Sequence, residues 1–190
     1  HQRHIAGEAD TVTAMATGAA RKAIHMAGID PAQINVVISH GSEYKDHSVW
    51  NAAAKIAANV GAVNAYAFDL YALCAGAPIA MNVARGMLAQ DPGLKYVMLA
   101  AGSRENDLIN LQNPRSRFMF NFGAGGGAML LERDATRNLI LGASAITDGS
   151  LSETVILTPD AVGDGQPQIV GEVRGRLDVT NGEYMEQRLG

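Results

Sequence analysis

Cysteine is nearly absent from these 190 residues, Cys74 being the one present. A single thiol forms no internal disulfide and cannot assemble a thiolate metal site, so no structural metal is expected. Positive charge is also scarce, with 15 Lys and Arg against 19 Asp and Glu and no basic cluster. A duplex-binding surface needs a cation for each phosphate it neutralises, which argues against a nucleic-acid partner. No apolar run approaches the roughly 20 residues that span a bilayer. No charged stretch followed by an apolar one opens the chain as a secretory leader does. The expectation is a soluble, cytoplasmic protein with no membrane partner.

What is present is a substantial core and a great deal of glycine. Apolar residues make up 47%, and charged residues at 18% are too few for a coiled coil or an acidic tail. Glycine contributes 21 residues, above the usual share of about 7%. Backbones must therefore approach one another, or a ligand, closely.

Hydrophobic spacing organises the chain. Asp10 is positioned to cap a helix whose apolar face is Val12, Met15, Ala16, Ala19, Ala23, Ile24 and Ala27, and Gly28 stops it. Residues 35–39 form a short β-branched run suited to a strand covered on both faces. A second helix is expected over 48–60, a strand over 65–71, a third helix over 74–90 and a strand over 95–101. This alternation predicts a largely parallel sheet with helices on its faces. Beyond Gly102 a polar loop leads to a Gly-rich segment and a strand at 128–132. That strand is expected to pair antiparallel with another at 139–146. Gly, Pro and Asp increase past Pro159, and 180–189 reads as the start of a helix.

Cys74 falls where a strand turns into a helix. Pro78 is tolerated only in the first helical turn, which puts Cys74 at or just before the helix start. There the unpaired N–H groups and the positive end of the helix dipole favour thiolate, the nucleophilic form, and can stabilise an oxyanion beside it. The arrangement parallels the strand–nucleophile–helix elbow of serine hydrolases, built with sulfur. The alternative is a small apolar filler between helix and sheet. None of His1, His4, His25, His40 and His47 is fixed by the sequence as a base; His1 and His4 are expected in a frayed start, and His40 and His47 flank a loop. The segment Phe122-Gly123-Ala124-Gly125-Gly126-Gly127-Ala128 formally fits a dinucleotide fingerprint, but a short strand follows instead of a helix. Close packing or direct ligand contact explains those glycines better.

At these segments the sequence resembles the thiolase superfamily, and within it the β-ketoacyl-acyl-carrier-protein synthase III branch, which also contains the hydroxymethylglutaryl-CoA synthases. Ala20-Arg21-Lys22-Ala23 through Ala27-Gly28-Ile29-Asp30-Pro31 is similar to the family's first helix and turn. Ala67-Phe68-Asp69 with Cys74-Ala75-Gly76 matches its nucleophile motif. Phe122-Gly123, Gly125, Gly127 and Ala128 match its Gly-rich motif, with Thr147-Asp148-Gly149 following. Two positions depart: Ala124 stands where an acid is common, and Leu73 where a small residue is common.

The resemblance implies an α/β fold, one half-domain of an αβαβα layered sandwich with a mixed, mostly parallel sheet. It implies an N-terminal half-domain over 1–158 without its first strand, then a connecting loop and the start of the second half over 159–190. By the same resemblance Cys74 takes an acyl group from acyl-CoA, and the acyl-enzyme condenses with a malonyl-carrier protein or acetyl-CoA. A loop from the partner copy, at about Val49 and Trp50, lines the acyl pocket, and Phe122 and Gly125 contact substrate. No cofactor is implied beyond the acyl-CoA and acyl-carrier-protein substrates. The implied assembly is a homodimer, or an association with a chain that supplies the second half and its catalytic His and Asn. Two other readings remain: a hydroxymethylglutaryl-CoA synthase-like enzyme using Glu43 or Glu105 as acid and base, and a non-catalytic subunit that binds or scaffolds an acyl chain.

Overall fold

The computed structural model describes residues 3–158, 176–179 and 186–187. The chain divides into two compact units, and the larger comprises residues 6–103 and 125–145. It opens with helix α1, Val12–Ala27. Thr11, not Asp10, caps it: the Thr11 backbone is extended and its hydroxyl accepts the Ala14 N–H at 3.1 Å. Asp10 instead accepts the N–H of Gly7. Gly28 ends the helix in the left-handed region at φ 66°, as expected. The buried face is rotated from the expected stripe, since Thr13 and Thr17 are buried and Ala27 is exposed. The Thr17 hydroxyl accepts a hydrogen bond from Asn59 on the next helix, which turns the Thr side of α1 inward.

Strand β1 is Val36–Gly41, and helix α2 is Ala52–Val60. Helix α2 begins four residues later than its composition suggests. Val49 sits at φ 49°, outside the helical region, and the Asn51 side chain caps the helix through the Ala54 N–H at 2.9 Å. Strand β2 is Tyr66–Tyr71, α3 is Gly76–Gln90, β3 is Tyr96–Ser103 and β4 is Gly125–Glu132. The sheet order is β2-β1-β3-β4, with β1 parallel to both neighbours and β4 antiparallel to β3. The sheet is thus mixed and mostly parallel. The strands reached through α2 and α3 flank β1 on opposite sides. Right-handed crossovers then require the two helices to cover opposite faces. Accordingly α1 and α2 pack on Val37 and Met98, while Ala80, Ala84 and Leu88 of α3 pack on Val36, Ile38, Val97 and Leu99.

Residues 139–146 form no strand, and the antiparallel partner of the Gly-rich strand is β3 rather than this segment. Strand propensity is expressed only against a neighbour that completes the ladder and covers a face. Here Leu139, Leu141 and Ile146 are exposed instead.

Two glycines allow α1 to lie flat on the sheet. A Cβ on Gly102 would sit 2.1 Å from the Val12 carbonyl oxygen, and one on Gly126 would sit 2.2 Å from that of Met15. The Gly-rich segment is therefore explained, at Gly126, by backbone packing.

The smaller unit comprises residues 3–5, 104–124 and the described residues from 146 onward. It contains short 3₁₀ turns at Glu105–Leu108, Pro114–Met119 and Gly149–Leu151, the last two capped by Asn113 and Asp148. Strands β5 (Val155–Thr158) and β6 (Arg176–Val179) pair antiparallel. The expected loose start is tied down. Ala124 donates to the His4 carbonyl at 2.8 Å, and Arg3 donates to that of Phe120 at 2.8 Å. His1 and most of the helix expected over 180–189 lie outside the described residues.

Candidate active site

The elbow expected around Cys74 is present in the larger unit. Strand β2 ends at Tyr71, Leu73–Ala75 form one 3₁₀ turn, and α3 starts at Gly76. Ala75 donates to the Ala72 carbonyl at 3.0 Å, and Gly76 donates to that of Leu73. Leu73 takes φ 48°, a left-handed conformation uncommon for a branched side chain and typical of strained functional turns. Cys74 is exposed. Pro78 is the third residue of α3, inside the first turn, where its missing N–H costs no helical bond. No side chain caps α3, whereas Thr11 caps α1 and Asn51 caps α2.

The elbow rests directly on the central strand. A Cβ on Gly76 would lie 2.8 Å from the Gly41 nitrogen and 3.1 Å from its Cα. Gly76 is thus required by the approach of α3 to the carboxyl end of β1. In open α/β sheets this end of the strands is where ligands bind.

Beside the elbow lies a polar cluster. The Lys45 ammonium donates to the Asp69 carboxylate at 2.9 Å, to the Trp50 carbonyl oxygen and to the Tyr71 hydroxyl. Lys45 and Asp69 side chains are only 10% and 9% exposed. Asp69 also accepts the N–H groups of Ala52 at 3.0 Å and Ala53 at 2.8 Å, which anchors the start of α2. Burial alone raises the Asp69 pKa, but the Lys45 hydrogen bond and the two amides outweigh it and hold the carboxyl below its ordinary value. Burial likewise lowers that of Lys45, and the Tyr71 and Asp69 partners outweigh it and hold the ammonium above its ordinary value. Burial pushes the Tyr71 phenol up.

Lys45 therefore ties Trp50 to the strand that leads into Cys74. Val49 is fully exposed, and the Trp50 ring meets His47 edge-on with centroids 4.9 Å apart. Gly125 is exposed at the start of β4, with open space where a Cβ would stand. Phe122 belongs to the smaller unit and is half-buried there. Glu43 is exposed in the loop after β1. Glu105 is half-buried in the first 3₁₀ turn of the smaller unit. Burial holds the His40 imidazole below the ordinary histidine value. Among the described residues no cluster of His, Cys, Asp and Glu could hold a metal ion, and no helix is long and apolar enough to cross a membrane.

Sequence reading missed Lys45 and Tyr71, and treated Asp69 only as part of a motif. A signal was available: Asp69 is the sole charge within the strand Tyr66–Tyr71. A carboxylate so placed must find a cation or amide donors.

Comparison with known proteins agrees with this architecture. Residues 68–149 match the model of the 3-oxoacyl-[acyl-carrier-protein] synthase III family. A β-ketoacyl-[acyl-carrier-protein] synthase III of Allorhizobium ampelinum is 30% identical over an alignment covering all of this chain and 57% of that protein. The 3-oxoacyl-[acyl-carrier-protein] synthase III of Aquifex aeolicus superposes with a TM-score of 0.76 at 25% identity, covering 97% of this chain and 54% of that one. The priming β-ketosynthase of the R1128 polyketide pathway gives 0.65 at 29% identity, covering 82% and 45%. The chain spans about half the length of these relatives. By nucleophile motif, sheet topology and alignment alike, it is similar to 3-oxoacyl-[acyl-carrier-protein] synthase III proteins over about half of their length.

Proposed function

We propose that the chain carries the nucleophile of a 3-oxoacyl-[acyl-carrier-protein] synthase III-type acyltransferase, with Cys74 as the acyl acceptor. The sulfur attacks the carbonyl carbon of an acyl-CoA thioester, the carbon–sulfur bond to CoA breaks, and the CoA thiolate leaves with a proton. Malonyl-acyl-carrier protein loses carbon dioxide, or acetyl-CoA loses a proton, to give the carbanion that attacks the acyl carbonyl; the new carbon–carbon bond replaces the acyl–sulfur bond and the Cys74 thiolate leaves. Val49 and Trp50 line the acyl pocket of the partner copy, and Phe122 and Gly125 contact substrate. The half-domain runs to about residue 158. The His and Asn that stabilise the enolate come from a second half outside this sequence, in the same polypeptide or another. The setting is cytoplasmic and the assembly a homodimer. Support for a second copy is that, among the described residues, β2 ends the sheet on one side, with Tyr66, Tyr71 and Leu73 exposed.

The observation that carries this reading is an exposed thiol at a strained turn opening a helix whose N-terminus no side chain caps. An uncapped N-terminus leaves N–H donors and positive dipole for the sulfur and for the oxyanion that forms on the attacked carbonyl. Incubating the full-length gene product with short acyl-CoAs is expected to add one acyl mass to the peptide containing Cys74. Cys74→Ala is expected to abolish it. No acyl increment on wild-type Cys74 with any acyl-CoA overturns the proposal.

A further inference from the structure

The turn that carries Cys74 begins and ends on one residue. Tyr71, the last residue of β2, stands in register with Gly41 at the end of β1. Gly76, the first residue of α3, packs against the same Gly41, its would-be Cβ 2.8 Å from the Gly41 nitrogen. Between these two ends Leu73 is held at φ 48°. A branched residue keeps a left-handed backbone only where its surroundings over-determine it, so both ends must be fixed. The α3 end is fixed by the core, through Ala80, Ala84 and Leu88.

The β2 end has no such cover. Tyr71 is the last rung of the ladder and is 44% exposed, and the end of a strand opens more readily than its middle. Its hydroxyl supplies the missing constraint. It accepts from the Lys45 ammonium and donates to the Asp69 carboxylate at 3.1 Å, while Lys45 and Asp69 bond each other at 2.9 Å. Asp69 and Tyr71 lie on one face of the strand, two residues apart. The Tyr71 ring also faces the ammonium, with its centroid 4.8 Å from Nζ. The three groups close a triangle whose other two corners are largely buried and, through Asp69, bonded to the start of α2. Tyr71 is thus pinned to the interior by its side chain as well as by the ladder.

Resting on the reading of Cys74 as acyl acceptor, we propose that Tyr71 is a positioning residue for the nucleophile. Its hydroxyl, anchored on Lys45 and Asp69, holds the β2 end of the elbow and so keeps the Cys74 sulfur at the open N-terminus of α3. The effect is geometric, since the ammonium and carboxylate beside it cancel in charge. Without the hydroxyl the last rung loosens, Leu73 relaxes toward an unstrained backbone, and the sulfur leaves its alignment with the N–H groups that serve the oxyanion. A displacement of about 1 Å at a reacting atom costs up to about a hundredfold in rate.

Tyr71→Phe tests this, because it removes one hydroxyl and keeps the ring beside Lys45. The full-length gene product is acylated in a single turnover with whichever of acetyl-, butyryl- and hexanoyl-CoA labels wild-type Cys74 fastest, and the free protein is alkylated with iodoacetamide. The acylation rate at saturating acyl-CoA is expected to fall about tenfold, while the half-saturating concentration and the melting temperature stay at wild-type values. A merely structural role would not produce that split. Alkylation is expected to slow as well. Tyr66→Phe, at the other end of β2, is expected to keep wild-type rates. Wild-type rates in Tyr71→Phe, slowing that appears only as a raised half-saturating concentration, or equal slowing in Tyr66→Phe each overturns the inference and leaves Cys74 as acyl acceptor. A wild-type protein that takes no acyl group removes the reading of Cys74, and the alkylation rates still decide whether Tyr71 positions the thiol.

Discussion

Replacing Gly76 by alanine sets helix propensity against packing, and the distances decide between them. Gly76 has ordinary helical dihedrals, φ −55° and ψ −46°. Alanine there would gain about 0.5–1 kcal/mol from propensity alone. The added Cβ, however, would stand 2.8 Å from the Gly41 nitrogen, where ordinary contact begins at 3.4 Å. The overlap of 0.6 Å (3.4 − 2.8) falls on the backbone of the central strand, which no rotamer change can relieve. Overpacking of this kind costs about 1–3 kcal/mol, so the net expectation is a loss of about 1–2 kcal/mol. Gly86, in the same helix, provides the internal control. It is exposed and nothing lies within 4 Å of its would-be Cβ, so Gly86→Ala should stabilise by about 0.4–1 kcal/mol. Urea melts of the two variants are expected to move in opposite directions. Relief of the clash also requires the start of α3 to lift from β1, so the alkylation rate of Cys74 should change in Gly76→Ala and not in Gly86→Ala. Equal stabilisation by both substitutions would refute the close approach on which the elbow depends.

Two further outcomes follow from the same geometry. Gly102→Ala would press a methyl to within 2.1 Å of the Val12 carbonyl oxygen. A loss of about 3 kcal/mol or more is expected, visible as low soluble yield or a depressed melting point, and a wild-type melt contradicts it. Burial holds the His40 pKa below its ordinary value in the fold, whereas the unfolded chain takes up this proton below about pH 6.5. The unfolded state then binds more protons. Stability should therefore fall as pH drops from about 6.5 toward the lowered folded-state value, and be unaffected by His40 above that range. His40→Gln should flatten this part of the pH–stability curve; an unchanged slope shows that another group is responsible.

Much of the fold follows from local rules that a sequence states openly. Gly28 and Gly61 stop their helices because the left-handed cap favours glycine. Pro78 marks the first turn of α3 because proline fits there and not further in. These features of the sequence alone place Cys74 at the elbow. The start of α2 was less legible. Its alanines begin at Ala52, and the sequence alone does not show that the helix starts there and not at Ser48; Asn51 and the distant Asp69 supply the bonds that begin it, and only the Asn lies in the local sequence. Between Asp10 and Thr11, both good caps, Thr11 takes the role with its hydroxyl on the Ala14 N–H, while the Asp10 carboxylate is engaged by the Gly7 N–H.

Residues 139–146 mark the other limit. Their apolar pattern is that of a strand, yet no ladder forms, because pairing is a property of two segments and one of them must be supplied. The same holds for the polar cluster at the site. The sequence by itself determined where the thiol stands, since glycine, proline and apolar periodicity act over a few residues. Only the tertiary structure decided that Lys45, Asp69 and Tyr71 converge on the strand that leads into it. Charges separated along the chain attract only once folding has brought them together and removed the water between them.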